Sequence, residues 1–239
     1  MPEDTGGLTE KARYCAELRQ ALSLDESPVA AAILQEPPPG MRLWRRKATP
    51  CVMLQSARRG SALYCSGESI FCSGRAYLGL GEPPIPDLES FLVETEKLAA
   101  SREAAQKIIA AAREPAPKNG KYLALAPLEN ADFAVDVVLF AGTPFQIGRL
   151  IFLDAFETGQ IDTRHGEPFC SGTISAPIAT GRIGISFLDM TCRMFGKYRE
   201  EEMVAGVPAD RLPRIVNSIS RCIAGTAKPN YANGYEAIY

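Results

Sequence analysis

The tetrapeptide Phe71-Cys72-Ser73-Gly74 recurs letter for letter as Phe169-Cys170-Ser171-Gly172 in this chain of 239 residues. It constrains the fold more than any other feature, because the flanking segments correspond as well. Each copy follows a glutamate by a few residues, Glu68 and Glu167, and each leads into a small-residue run that ends in glycine, at Gly79 and Gly181. Upstream, Met53 to Gly60 resembles Leu150 to Gly159, and before these lie two strand-like runs, Pro28 to Leu34 and Val135 to Gly142. A shared order of elements predicts an internal duplication, each half reading strand, helix, Cys-Ser-Gly turn, helix. The pseudo-equivalent halves would span about residues 24–115 and 120–226 of one domain, 1–239, with 227–239 as a polar and aromatic tail.

Cys-Ser-Gly ahead of a helix has a specific chemical meaning. Serine caps a helix well and glycine lets the backbone turn sharply. The free N–H groups and the positive end of the helix dipole then favour an anion. A cysteine in that place gains thiolate character. Two such turns related by pseudo-symmetry would aim two thiols at one point.

Read in order, the rest of the chain alternates helices and strands. Leu8, Ala12, Cys15, Leu18 and Leu22 recur at helical spacing and predict a helix over 7–23. Strands are expected at 28–34, 62–65, 121–127, 134–142, 183–188 and 202–208. Helices are expected at 51–57, 88–113, 145–156 and from Leu212 to Cys222. Met41 to Lys47 reads as a basic loop and Thr163 to Gly166 as a polar turn. The alternation predicts an α/β or α+β fold, a mixed sheet with flanking helices.

Seven cysteines need sorting, and composition helps. A hydrophobic fraction of 46% can fill a substantial core, while a net charge of −2 gives no general footprint for nucleic acid. No apolar run is long enough to span a membrane, and Met1-Pro2-Glu3-Asp4 carries no signal pattern. The expected location is therefore cytoplasmic, where thiols act as metal ligands or catalytic groups more often than as disulfides. Cys15 and Cys222 fall on apolar helix faces and read as core, and Cys65 as core or a supporting thiol. Cys51, Cys72, Cys170 and Cys192 stand at turns or helix starts. Pro50 suits the first turn of a helix, which puts Cys51 near that helix's N-terminus.

Four thiolates suit tetrahedral zinc or an iron–sulfur cluster. No Cys-x-x-Cys is present, so the ligands would come from distant segments. A cysteine nucleophile at Cys72 or Cys170 would need the single histidine, His165, five residues before Cys170. Glu68, Glu167, Asp189 and Arg193 read first as solvated loop residues and second as acid–base or anion-binding groups. No Walker A sequence occurs and Gly79-Leu80-Gly81 lacks the full dinucleotide fingerprint, which speaks against nucleotide binding through those motifs. Arg42, Trp44, Arg45, Arg46 and Lys47 form a patch too short to read as a nucleic-acid surface.

Several segments together resemble the domain-of-unknown-function family number 169. They are Cys51-Val-Met-Leu-Gln-Ser-Ala-Arg-Arg-Gly60, Cys72-Ser-Gly-Arg-Ala-Tyr-Leu-Gly-Leu80, Phe91-Leu-Val-Glu-Thr-Glu96, Val138-Leu-Phe-Ala-Gly-Thr-Pro144 and Glu201-Glu-Met-Val-Ala-Gly-Val-Pro208. The resemblance runs over roughly residues 8–224. Members carry cysteines at positions matching Cys51, Cys72, Cys170 and Cys192 and are frequent in anaerobic archaea and bacteria. It implies a 4Fe–4S cluster on those four residues, with a role in electron transfer or redox chemistry on a small molecule. Helix N-termini and Arg58, Arg75 or Arg193 would offset the cluster's charge. The implied partners are a redox protein or a small molecule, not nucleic acid or membrane, with room for a homodimer. The alternatives are a metal-free ligand-binding or scaffold protein whose cysteines fill the core, and a structural zinc protein.

Overall fold

A computed structural model describes residues 9–113 and 118–226. The tail expected at 227–239 lies outside the described residues. The strands are β1 (Val29–Leu34), β2 (Arg42–Leu43), β3 (Leu63–Ser66), β4 (Tyr122–Pro127), β5 (Val137–Gly142), β6 (Thr163–His165), β7 (Ile183–Ser186) and β8 (Met203–Pro208). They form one sheet in the order β2-β3-β4-β1-β5-β8-β7-β6. The outer pairs β2–β3 and β6–β7 are parallel, and the pairings between them are antiparallel. This is the α/β class with a mixed sheet.

The strand order reads the same from either edge, and the register agrees. β1 meets β4 with Val29 opposite Pro127 and Leu34 opposite Tyr122. β5 meets β8 with Val137 opposite Pro208 and Gly142 opposite Met203. At the centre Ala30 faces Val138, flanked by Val29 opposite Leu139 and Ala31 opposite Val137. A half-turn about the Ala30–Val138 pair therefore exchanges β1 with β5 and each remaining strand with its counterpart. The reversal falls between β4 and β5, later in the chain than residues 115–120.

The two Phe-Cys-Ser-Gly copies do not occupy equivalent places in this arrangement. The first follows β3 and the second precedes β7. By strand order Cys51, between β2 and β3, corresponds to Cys170, between β6 and β7. Cys72, after β3, corresponds to Cys192, after β7. The local conformations differ too. Phe71 is exposed and Phe169 fully buried. Ser73 makes no capping bond, and Ser171 lies inside a helix. Four identical letters did not fix one structure, because each copy is shaped by what it packs on.

The inner strands are apolar on both faces because helices cover both. In β1, Val29, Ala31 and Ile33 face one layer and Ala30 the other, the alternation a strand imposes. One layer holds α1 (Glu10–Leu22), α6 (Pro144–Ala155) and α9 (Leu212–Ser218). The opposite layer holds α2 (Pro50–Arg58), α3 (Gly74–Tyr77), a short α4 (Leu88–Ser90) continued by a π-helical turn, α5 (Arg102–Arg113), α7 (Ala176–Thr180) and α8 (Met190–Gly196). A π-helical turn, Ser171–Ser175, leads directly into α7. That turn rests its backbone on the sheet. A Cβ on Gly206 would run into the Thr173 carbonyl, and one on Gly184 into the Gly172 carbonyl.

β2 and β6 were not legible as strands. Arg42–Leu43 lies in the expected basic loop and Thr163–His165 in the expected polar turn. Both are short polar edges held by a single neighbour, so neither carries a period-two apolar pattern.

Candidate metal centre

All four singled-out cysteines stand in the layer formed by α2, α3, α7 and α8, each delivered by a different segment. Cys51 is the second residue of α2, after Thr49 at the N-cap and Pro50 at the first position. Cys72 precedes α3. Cys170 opens the helix that continues through the π turn into α7. Cys192 sits in the first turn of α8, where its N–H donates to the N-cap Asp189 Oδ1 at 2.9 Å. The relative exposures of Cys51, Cys170 and Cys192 are 5%, 5% and 7%, so none presents a surface thiol. Cys72 is half-buried, and all seven cysteines are free.

Packing brings these segments together. A Cβ at Gly74 would stand 2.9 Å from Cys170 Sγ and 3.2 Å from Cys72 Sγ, so the two sulfurs flank one point. Ser175 Oγ donates to the Tyr77 carbonyl at 2.6 Å and ties the Cys170 helix to α3. α2 packs on α8 and brings the Cys51 and Cys192 thiols near enough to shift each other's protonation. Cys170 also feels the charge of Cys72 and Cys51, and Cys192 that of Cys170. The three other cysteines take other places. Cys15 and Cys222 lie in the opposite layer, and Cys15 donates to Glu129 Oε2 at 3.0 Å. Cys65 is fully buried beside Cys72.

The four thiols are electrostatically unequal. The Cys192 thiol beside Cys51 holds Cys51 below the usual thiol range, against its burial, with help from Thr49 and the Val52 N–H. Its neighbour Cys192 is raised by Cys51 and by burial. Burial pushes Cys72 up to about 12, partly offset by the N–H groups of Gly74 and of Cys72 itself. Cys170 is raised well above the usual range by burial, then by Cys72 and Cys51. Ionisation is therefore favoured at Cys51 and disfavoured at the other three.

Carboxylates border this group. Asp189 raises the proton affinity of all four thiols. Glu96, raised by burial, accepts from Thr191 Oγ1 at 2.8 Å. Glu167, also raised by burial, accepts from Ser186 Oγ at 2.8 Å and 2.7 Å. Two of the three arginines expected to offset charge, Arg58 and Arg193, are engaged elsewhere. Arg193 donates to the carbonyls of Phe187, Leu188, Arg199 and Glu202. Arg58 pairs with Glu26 and Glu202. Offsetting dipoles come instead from backbone N–H groups. His165 lies 3.7 Å from Glu167 and stacks at 5.0 Å on Phe187, and no hydrogen bond joins it to Cys170 among the described residues. Glu68 is exposed.

Among the described residues no group of three or more His, Cys, Asp or Glu side chains is drawn together as a single ion would require. Tetrahedral zinc, with Zn–S near ~2.3 Å, needs four sulfurs gathered about one point. A four-iron cluster accepts its thiolates at the corners of a larger box, from separate segments. Four thiols from four segments, three buried and one half-buried, fit that donor set. Tyr198, whose hydroxyl donates to the Cys51 carbonyl at 2.9 Å, was not legible in the sequence. Asp189 reads in the sequence as a solvated loop residue; its place three residues before Cys192 is a cap signal that could have been used, but nothing local marks it as the shared neighbour of four thiols.

A family model, DUF169, described as "Uncharacterised ArCR, COG2043", matches residues 17–218. The chain is also similar to the uncharacterized protein MJ0308 of Methanocaldococcus jannaschii, with 26% identity over 226 residues that cover 90% of this chain and 95% of the relative. No solved structure matches. Among the described residues no helix is long and apolar enough to cross a membrane.

Proposed function

The chain belongs to the DUF169 family, and we propose that it holds a 4Fe–4S cluster on Cys51, Cys72, Cys170 and Cys192. The observation that carries this reading is the gathering of those four thiols in one buried layer, while Cys15 and Cys222 stand across the sheet. A cluster bound by four cysteines leaves no iron open and supplies one-electron transfer. The chain's own residues would then bind and tune. Val52, Gly74, Cys72 and Cys170 offer N–H groups to sulfur, which stabilise the more negative state. Asp189 opposes it by like charge. Loading would release protons from Cys72, Cys170 and Cys192, so uptake should improve as pH rises above neutrality. The partner would be a redox protein or a small molecule, in a reducing cytoplasm.

Anaerobic purification or reconstitution, followed by a visible spectrum and iron and sulfide counts, tests the reading. About four iron and four sulfide per chain are expected. Single Cys→Ala changes at Cys51, Cys72, Cys170 or Cys192 should abolish loading, and Cys15→Ala and Cys222→Ala should not. Folded protein that stays colourless and metal-free after reconstitution would sink it and leave a metal-free binding protein. Stoichiometric zinc with no iron would keep the site and remove the redox role.

A further inference from the structure

A second site stands at the outer edge of the sheet, independent of the cysteine centre. β2 is a terminal strand, and the chain beyond it is pinned at both ends. The Trp44 N–H donates to the Tyr64 carbonyl at 2.7 Å, and the Ala48 N–H to the Ser69 carbonyl at 2.8 Å. Between these anchors Arg45, Arg46 and Lys47 are exposed. Arg42, Leu43, Trp44, Arg45 and Arg46, with Ser56 of α2, line a groove of about 630 Å³. That is the size of a small-molecule site.

Two features show that the groove lacks a counterpart within the protein. Arg58 and Arg59 of the neighbouring helix pair with Glu26, but among the described residues no carboxylate lies within ion-pair distance of Arg42, Arg45 or Arg46. Trp44 packs on the core, and its indole N–H is buried with no acceptor. Neighbouring like charges repel, and a buried donor left unpaired is costly. An anion in the groove relieves the repulsion among the arginines.

We propose that this groove binds a small, multiply charged anion of the phosphate class, gripped by the guanidiniums of Arg42, Arg45 and Arg46. Guanidinium forks match phosphate oxygens two at a time. Such recognition runs through side chains and needs no glycine-rich phosphate loop, so the absence of those motifs does not bear on it.

Trp44 is the only tryptophan in the chain, so its emission reports on this groove alone. Full-length protein is titrated with sodium pyrophosphate at constant ionic strength, beside matched titrations with sodium chloride and with polyglutamate. A saturable change with pyrophosphate is expected. The double variant Arg45→Gln/Arg46→Gln should weaken it about tenfold or more, and Arg59→Gln should leave it unchanged. Calorimetry with the same variants supplies a second readout that does not depend on Trp44 emission, with the same weakening expected for Arg45→Gln/Arg46→Gln. If the double variant fails to fold by circular dichroism, Arg42→Gln carries the same comparison. A response matched by chloride, or equal affinity in the arginine variants, would overturn the proposal. So would a response to polyglutamate alone, which would assign the groove to an acidic protein.

Discussion

At the scale of single residues, Gly74 matters more to the cysteine centre than its place in a repeated tetrapeptide implied. The glycine was read as the means of a sharp turn. Its neighbours give it another role, because the space a Cβ would take is flanked by the sulfurs of Cys72 and Cys170. Gly74→Ala should push one sulfur aside. We expect it to fold, with a loss of about 1–3 kcal/mol in chemical denaturation, typical of overpacking. It should also take up clearly less iron on reconstitution than the parent. Full iron content in Gly74→Ala would show that the space between the sulfurs is not needed. The second copy's glycine, Gly172, serves a different purpose, since a Cβ there would meet the Gly166 carbonyl. Identical letters carried the chemistry of a thiol near a turn, but not its surroundings.

At the scale of elements, the start of α8 combines a structural and an electrostatic role in one side chain. Asp189 caps the helix through the Cys192 N–H at 2.9 Å, and its charge disfavours thiolate at Cys51, Cys72, Cys170 and Cys192. The two roles can be separated. Asp189→Asn keeps a capping oxygen and removes the charge, so stability should change by only a few tenths of a kcal/mol. Removing a like charge favours the ionised thiol, so ultraviolet titration of the metal-free variant should show thiolate forming at lower pH than in the parent. Asp189→Ala loses the cap as well and should cost about 1 kcal/mol. An unshifted titration in Asp189→Asn would remove the electrostatic role. Most element positions were legible, because apolar spacing marked α1, α6, β4 and β8 within a few residues. The short β2 and β6 were not, since their pairing partners, rather than their own residues, make them strands.

At the scale of the molecule, the two sides of the sheet are joined by a charged link under α2. Arg58 Nη2 lies 2.7 Å from Glu202 Oε1, and their side chains are only 7% and 4% exposed. Burial pushes Glu202 up, but the Arg199 N–H and the Arg58 guanidinium together hold it below the usual carboxylate range. Removing Arg58 leaves the buried Glu202 with only the Arg199 N–H at 2.8 Å and the Arg199 guanidinium at 3.8 Å to offset its charge. Arg58→Met should therefore cost about 3–5 kcal/mol in urea denaturation, and the double change Arg58→Met/Glu202→Leu should recover much of that loss. A single variant as stable as the parent would show that the pair is not a link between the halves.

The sequence by itself determined the α/β class, the positions of most helices and strands, and the division of the cysteines. Spacing and turn chemistry are local properties, and they separated thiols on apolar faces from thiols at helix starts. Tertiary structure alone decided which positions correspond across the halves. Strand order pairs Cys51 with Cys170 and Cys72 with Cys192, whereas the repeated letters paired Cys72 with Cys170. It also decided that Asp189 neighbours all four thiols, that Arg58 and Arg193 are engaged with other groups, and that Trp44 lines a cationic groove. These are distances between residues far apart in the chain. They follow from how the sheet is ordered and which layer each helix covers, and no local pattern encodes them.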